Sequence, residues 1–439
     1  MCNELLLDEL FAFLGAAPSP FHAAAEACRR LDAAGFARLQ ETAYWNLEPG
    51  KGYYLTRGGA SVLAWRMPQR GIGGWRITAS HSDSPAWRVK ADRLENDGCC
   101  RLSVEGYGGM NLATWLDRPL TVAGRVLVRT AEGAESRLVA PDRDLCVIPS
   151  LAIHMDRDIN AHAYNAQTDL QPLFGPAGCR SLTAVLAAEL GVAETDLLDR
   201  DLVLAVRQRP TRVGPDGAFY LAPRIDDLAC AAATLFGFLQ AAADADPGIA
   251  PVWLMLDSEE VGSGTRQGAA STFVRDVLDR IFEAAPHSAQ GQARALANSL
   301  ALSADNAHAV HPAYPAKADP CCPVRLGGGV VLKYNAAQKY TTTGLTGGLF
   351  AALCRRAGVP VQRFANRADQ PGGSTLGNLL SRTLPVPMAD IGLPQLAMHA
   401  AVETAACADA DAMVRAAAAF YRARLRCVGD GRYWFEDEA

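Results

Sequence analysis

Residues 252–265 read Val-Trp-Leu-Met-Leu-Asp-Ser-Glu-Glu-Val-Gly-Ser-Gly-Thr, an apolar run that stops abruptly in acids and then glycines. Residues 252–256 are apolar without alternation, the pattern of a strand covered on both faces of a sheet. Asp257, Glu259 and Glu260 then crowd negative charge at its carboxyl end. Such crowding is costly unless cations neutralise it. Neighbours in an extended segment point to opposite sides, so one glutamate can bind a metal while the other addresses a water beside it. The expectation is a buried strand that delivers carboxylates to a loop.

At 439 residues the chain exceeds the size at which a single core usually stops growing, so two domains, or one core with a large insertion, are expected. Hydrophobic residues at 49% and charged residues at 20% exclude wholesale disorder. A net charge of -5 without a basic cluster leaves no electrostatic footprint for nucleic acid, which is excluded as a partner. Acids stand near the amino terminus where a secretion signal would carry positive charge, so a cytoplasmic protein is expected. The most apolar long stretch, residues 228–243, is broken by Thr234, Gly237 and Gln240 and is too short to span a bilayer; it reads as a buried Ala-rich helix, with no membrane partner. The 12 cysteines are scattered, with adjacent pairs at Cys99-Cys100 and Cys321-Cys322 and no CxxC spacing, and read as reduced thiols.

Residues 5–14 and 21–31 have helical apolar spacing, separated by Pro18-Ser19-Pro20. Strands are expected at 53–55, 61–65 and 75–79, the last ending in Ser80-His-Ser-Asp-Ser-Pro85 at a position where open α/β sheets build sites. From about 89 to 222 the texture becomes β-rich, with strand signals at 120–130 and 202–207 and a helix near 182–190. The chain is therefore divided into 1–89 with 223–439, and an inserted domain at 90–222. Further strands are expected at 252–256, 299–303 and 330–334 and a last helix at about 408–426, whereas 284–297 reads as a mobile connection, or as one that is partly helical.

His81 with Asp83, Asp226 with Asp227, Glu259 with Glu260, Asp305 and His399 recur at strand ends or helix starts and can only meet through the fold. They supply the nitrogen and carboxylate ligands, a bridging carboxylate and a free base that a site for two zinc-like ions needs. His22, His162, His287 and His311 lack such company and read as structural or surface residues.

The motifs Pro18-Ser-Pro-Phe-His22, Ser80-His-Ser-Asp83, Ile153-His-Met-Asp-Arg157, Pro223-Arg-Ile-Asp226, Asp257-Ser-Glu-Glu-Val-Gly262, Ser303-Ala-Asp-Asn-Ala-His308 and Met398-His399 span nearly the whole chain. In these the chain resembles the M18 metalloaminopeptidases of the aspartyl aminopeptidase type. The resemblance implies an α/β fold, a three-layer αβα mixed-sheet zinc exopeptidase core with an inserted β-rich dimerisation and lid domain. It implies two zinc ions per subunit, with Co or Mn as possible substitutes, one held by His81, Asp226 and Asp305 and the other by Asp226, Glu260 and His399. Glu259 would be the general base, and Asp83 would orient the His81 imidazole by hydrogen-bonding its other nitrogen. A strained or cis peptide at Asp226-Asp227 is part of the same pattern. His308, Lys333 and Tyr340 would lie on the substrate side, Lys333 neutralising an acidic side chain and Tyr340 donating to the developing oxyanion. His154 would reach into a neighbouring subunit's site.

Three carboxylates against two divalent ions leave one positive charge, which hydroxide can neutralise; zinc lowers the pKa of bound water to roughly 7. The expected activity is removal of amino-terminal residues, preferably Asp or Glu, from peptides with a free amino terminus. The expected assembly is a homo-oligomer, a dodecamer built from dimers. A metal-dependent amidohydrolase or deacylase acting on small N-acyl substrates is the rival with the same chemistry. A catalytically silent peptide-binding assembly protein is the rival of another class, opposed by the retention of every proposed ligand and of Glu259. The loop at 366–375 and residues 313–323 depart from the family pattern, which loosens the acidic preference. Asp257 reads as a loop-stabilising acceptor.

Overall fold

The run at 252–256 lies inside a strand, Ile249–Leu256, whose every residue is buried. The structure, a computed structural model, describes residues 4–285 and 288–435. The strand lies in a nine-stranded sheet whose order is Ala37–Arg38, Gly52–Arg57, Ser61–Arg66, Ile249–Leu256, Gly74–His81, Leu300–Ala304, Met388–Gly392, Val330–Tyr334 and Val361–Ala365. The four from Ile249–Leu256 to Met388–Gly392 run parallel, and Ser61–Arg66 and Val330–Tyr334 flank them antiparallel. Parallel strands covered on both faces are apolar at every position, which is why 252–256 shows no alternation.

Nine helices are formed among the described residues: α1 (Glu4–Ala16), α2 (Pro20–Ala33), α3 (Leu182–Leu190), α4 (Ile225–Ala241), α5 (Phe273–Glu283), α6 (Ala289–Ala297), α7 (Gly344–Arg356), α8 (Leu376–Thr383) and α9 (Cys407–Arg422). On one face of the sheet α1, α2, α4, α7 and α9 bury Phe13, Leu31, Phe238, Phe350 and Tyr421 against Trp253. On the other, α5, α6 and α8 pack Phe273, Ala295 and Leu380 against Ile77 and Leu254. The result is the three-layer αβα arrangement with a mixed sheet that the sequence led us to expect. The helix α2 starts at Pro20 because Ser19 caps it, its hydroxyl accepting from the His22 N–H.

Residues 86–206 build a second, six-stranded sheet with its own core around Trp87, Leu102, Val122 and Leu204, against which α3 packs. Residues 211–222 turn away from it: Phe219–Ala222 pairs with Glu403–Ala406 in a five-stranded sheet beside the site. The last helix ends at Arg422 rather than 426, since residues 425–435 form a hairpin. There the Leu425 carbonyl accepts from the buried guanidinium of Arg76, and the Cys427 N–H donates to Asn298. Of the two readings of 284–297, the partly helical one holds: it contains α6, capped by Ser288, whose side chain accepts from the Gly291 N–H. Pro286 and His287 lie outside the described residues.

The helix at 228–243 begins earlier than expected, at Ile225, and with the following turn spans Ile225–Asp244, long and apolar enough to cross a membrane by length and composition. It is a core helix, with 89% of that window buried. Its middle lies against α9, where a β-carbon on Gly237 would meet Ala417 Cβ at 2.5 Å and the Val414 carbonyl oxygen at 2.9 Å. Because those neighbours are fixed, Gly237→Ala is expected to lower stability by about 1–3 kcal/mol through overpacking, read as a shift of the chemical-denaturation midpoint.

Candidate metal centre

The parallel strands end on one edge of the sheet, where His81, Glu259, Glu260 and Asp305 follow from them, while Asp226 and His399 follow strands of the five-stranded sheet. His81 is the last residue of Gly74–His81, in register with Leu256, so its turn and the Glu259-Glu260 turn begin side by side. The His81 N–H donates to Asp227 Oδ2 at 3.0 Å. Its Nε2 stands 3.5 Å from Asp226 Oδ1 and 3.8 Å from Asp305 Oδ1. Its Nδ1 lies 3.0 Å from the Asp83 carbonyl oxygen and 3.6 Å from the nearer carboxylate oxygen of Asp83. The imidazole is therefore oriented by the main-chain carbonyl, not by the Asp83 carboxylate as expected. That carboxylate instead accepts the N–H groups of Glu259 at 3.0 Å and Glu260 at 3.1 Å and the Tyr107 hydroxyl at 2.8 Å.

Glu259 and Glu260 are not extended. They open a 3₁₀ turn, Glu259–Val261, between Ser258 and Gly262, both in left-handed backbone conformations. With three residues per turn, their side chains diverge by about a third of a circle. Asp257 behaves as the expected loop acceptor, taking hydrogen bonds from Gln267 and Ser258.

The peptide between Asp226 and Asp227 is cis. Asp226 Oδ2 stands 3.3 Å from His399 Nε2, and the same nitrogen is 3.3 Å from Glu260 Oε1. The structure thus brings together His81, Asp226, Glu259, Glu260, Asp305 and His399. Possible ligand atoms within 4.8 Å of one another fall into groups that include His81, Asp226, Asp227 and Asp305, and Asp226, Glu260 and His399.

Lys333 lines the candidate cavity, where it was expected, but its ammonium is engaged by the protein. It is buried, and its ammonium donates to the carbonyls of Asp305 at 2.7 Å and Asn306 at 3.1 Å and pairs with Asp305 Oδ2 at 3.3 Å. Its three protons are thereby committed to the protein rather than held out for a substrate. His308 and Tyr340 line, with Lys333 and Phe364, a cavity of about 360 Å³ that opens onto Glu259 and His399. His154 lies on an exposed turn and lines no part of that cavity. Of the histidines set aside, His162 pairs with Asp169, His311 accepts from Ala313, and His22 contacts the Ser19 hydroxyl.

Asp227, named in the sequence constellation, has a part there that was not assigned to it, and Tyr107 and Glu403 escaped sequence reasoning altogether. Asp227 takes the His81 N–H, and Tyr107 comes from the second sheet. Glu403, buried in the five-stranded sheet, accepts the N–H groups of Asp226 and His399. Only its spacing of four from His399 in an otherwise apolar stretch could have marked it.

Electrostatics tests whether metal ions fit. Burial pushes Glu259 up to about 8 and Glu260 to about 7, neighbouring carboxylates adding to the effect. Burial opposes a charged His399, yet Asp226 and Glu260 raise it to about 11, and His81 rises well above its usual range for similar reasons. The same histidines hold Asp226 below the usual carboxylate range against its burial. The carboxylates thus demand positive charge, which divalent ions supply in exchange for the imidazole protons. Asp226 Oδ1 and Glu260 Oε1 are buried with no donor in hydrogen-bonding geometry, as oxygens intended for a cation would be. The donor set fits zinc.

Imidazoles and carboxylates gathered for divalent ions at the carboxyl edge of an αβα sheet define a metal-dependent hydrolase. The comparison with known sequences narrows that class. Residues 13–421 match the family described as aminopeptidase I zinc metalloprotease (M18), and the chain belongs to that family of zinc aminopeptidases. It is similar to the probable M18 family aminopeptidase 2 of Ectopseudomonas mendocina (strain ymp), 39% identical over 430 residues, 95% of this chain and 98% of that protein. Among solved structures it is similar to a chain of the Ape4 and Nbr1 complex, with a TM-score of 0.91 and 32% identity over 95% of this chain and 85% of that one. It is also similar to the S. cerevisiae mApe1 dodecamer, with a TM-score of 0.84 and 25% identity over 95% and 96%.

Asp83→Asn would set an amide NH₂ against a donor, since both carboxylate oxygens accept. It is expected to cost about 1–3 kcal/mol of stability and to lower turnover by loosening the Glu259-Glu260 turn. Chemical denaturation and kcat measured on the same preparation check this; an unchanged kcat counts against it.

Proposed function

We propose that this chain is a dinuclear zinc aminopeptidase that removes amino-terminal residues, preferably Asp or Glu, from peptides. In this reading His81, Asp226 and Asp305 hold one ion, and Asp226, Glu260 and His399 the other, with Co or Mn as possible substitutes. The observation that carries it is the Asp226 carboxylate: one oxygen faces His81 at 3.5 Å, the other faces His399 at 3.3 Å, and each group has its own further carboxylate. That is the disposition a bridging ligand needs.

Bound zinc supplies Lewis acidity and lowers the pKa of a water to roughly 7. Glu259, next in chain to Glu260 but diverging from it in the turn, takes the proton of the attacking water and returns it to the departing amine. Asp83 fixes the main chain of both glutamates. Tyr340, on the cavity wall, donates to the developing oxyanion, and His308 shapes the space for the first side chain. Lys333 favours an acidic side chain there through its positive field, since its protons are held by Asp305 and Asn306.

The division into 1–89 with 223–439 and an inserted 90–222 belongs to the same proposal. The insertion serves dimerisation, and His154 completes a neighbouring subunit's site in a dodecamer. Supporting this, Leu151, Ile153 and Met155 around His154 are 46%, 45% and 77% exposed, apolar surface suited to burial by another copy. The mApe1 relative is itself a dodecamer.

Glu259→Gln is expected to keep its metal and to lose about 10²–10⁴-fold in kcat, the usual share of general acid–base catalysis. Metal analysis and kinetics on one sample check it, and undiminished kcat removes Glu259 from the mechanism. His154→Ala is expected to lose activity with metal retained. In a panel of Asp, Glu, Leu and N-acetyl-amino-acid substrates, Asp and Glu should lead; cleavage confined to the N-acetyl compounds would overturn the aminopeptidase reading.

A further inference from the structure

The strand Glu403–Ala406 runs between Phe219–Ala222 and Pro394–Leu396, antiparallel to both, with Glu403 opposite Ala222. One flanking strand leads into the Asp226 turn and the other into the His399 turn. The first residue of the middle strand therefore sits between the two turns. The Glu403 carboxylate, 2% exposed, accepts the Asp226 N–H on Oε2 at 2.9 Å and the His399 N–H on Oε1 at 2.8 Å, with Gln395 Nε2 at 3.3 Å from Oε1.

We propose that Glu403 is a positioning residue which, touching neither ion nor substrate, locks the main chains of Asp226 and His399 together and so prebuilds the ion site of Asp226, Glu260 and His399. The inference rests on the dinuclear reading above. His399 and Ala397 both occupy left-handed backbone conformations, at φ 65° and 56°, which non-glycine residues keep only where their surroundings hold them. A carboxylate suits the task because both of its oxygens accept, each facing one amide. A glutamine would offer one oxygen and set its NH₂ against the other N–H. The remaining half of the cluster is held by other means. His81 is fixed through Asp227, and Asp305 through the Ile391 carbonyl and Lys333. Losing Glu403 therefore weighs more on the ion of Asp226, Glu260 and His399, two of whose ligands it anchors, than on the ion of His81, Asp226 and Asp305, of which it anchors one.

The test compares zinc bound per chain against graded chelator for the wild-type protein and Glu403→Gln, with the melting temperature of each metal-free protein measured alongside. The wild type is expected to hold two ions. The variant should hold the ion of Asp226, Glu260 and His399 about 10–100-fold more weakly, the usual scale for a residue that orients ligands, and the other ion with a smaller loss, with kcat reduced at constant KM and the metal-free melting temperature lowered as a buried amide loses its acceptor. Equal retention of both ions overturns the inference. So does an equal weakening of both ions, which marks a merely structural role. A wild type that holds fewer than two ions defeats the dinuclear reading and the inference with it. Should Glu403→Gln fail to fold, Glu403→Asp replaces it with the same expectation: it keeps the charge but is one methylene too short to reach both amides.

Discussion

Negative charge gathered where water scarcely reaches is the constraint on which this structure depends. Asp226, Asp227, Asp305, Glu259 and Glu260 stand within one cluster, and burial alone pushes several of them toward the protonated form. Left uncompensated, such a group would be among the costliest features a fold can carry. The chain answers with His81 and His399 between the carboxylates and Lys333 beneath Asp305. An arrangement that demands cations this strongly is one that binds them, so the electrostatic cost of the fold and the chemistry of a zinc aminopeptidase are two aspects of a single fact.

The scaffold meets that cost by anchoring main chain rather than side chain. Asp83 takes the amides of Glu259 and Glu260, Asp227 takes that of His81, and Glu403 takes those of Asp226 and His399. Side chains beyond these anchored amides stay free to present their oxygens and nitrogens. The anchors are carboxylates too, which adds to the local negative charge: Glu403 is itself pushed up to about 8 by burial and by Asp226. The placement of the cluster is thus set by main-chain hydrogen bonds in turns at the ends of two sheets, one with parallel strands buried on both faces and one antiparallel.

Much of this was legible in the sequence. The unalternating run at 252–256 announces a strand buried on both faces, and acids or histidines where apolar segments end announce a site at the sheet's edge. What local pattern could not show is how a turn rotates its residues. Asp83, two after His81, looked placed for the imidazole, but the chain bends so that its carbonyl lies there while its carboxylate meets the next turn. Glu259 and Glu260 suggested opposite faces of an extended segment and proved to be a 3₁₀ turn. Lys333 suggested a substrate contact because the sequence does not show that Asp305 and Asn306 pass directly over it. Glu403 stayed hidden since its meaning lies in pairing with strands distant in the chain. The hairpin after α9 likewise depends on Arg76 and Asn298 far upstream.

The second sheet is joined to the site more closely than an appended assembly module needs to be. Its strand Cys99–Tyr107 ends in the tyrosine that donates to Asp83. The next residue, Gly108, has φ 72°, and a β-carbon there would stand 3.1 Å from Glu260 Cβ. A few residues on, the Asn111 N–H donates to the His399 carbonyl, and the Thr114 hydroxyl accepts from Ala401. One short segment therefore touches the Asp83 anchor, the Glu260 turn and the His399 turn. Displacing the second sheet must strain the Asp83 anchor and the His399 turn together. Where that sheet sits and how Glu259, Glu260 and His399 are placed are consequently coupled.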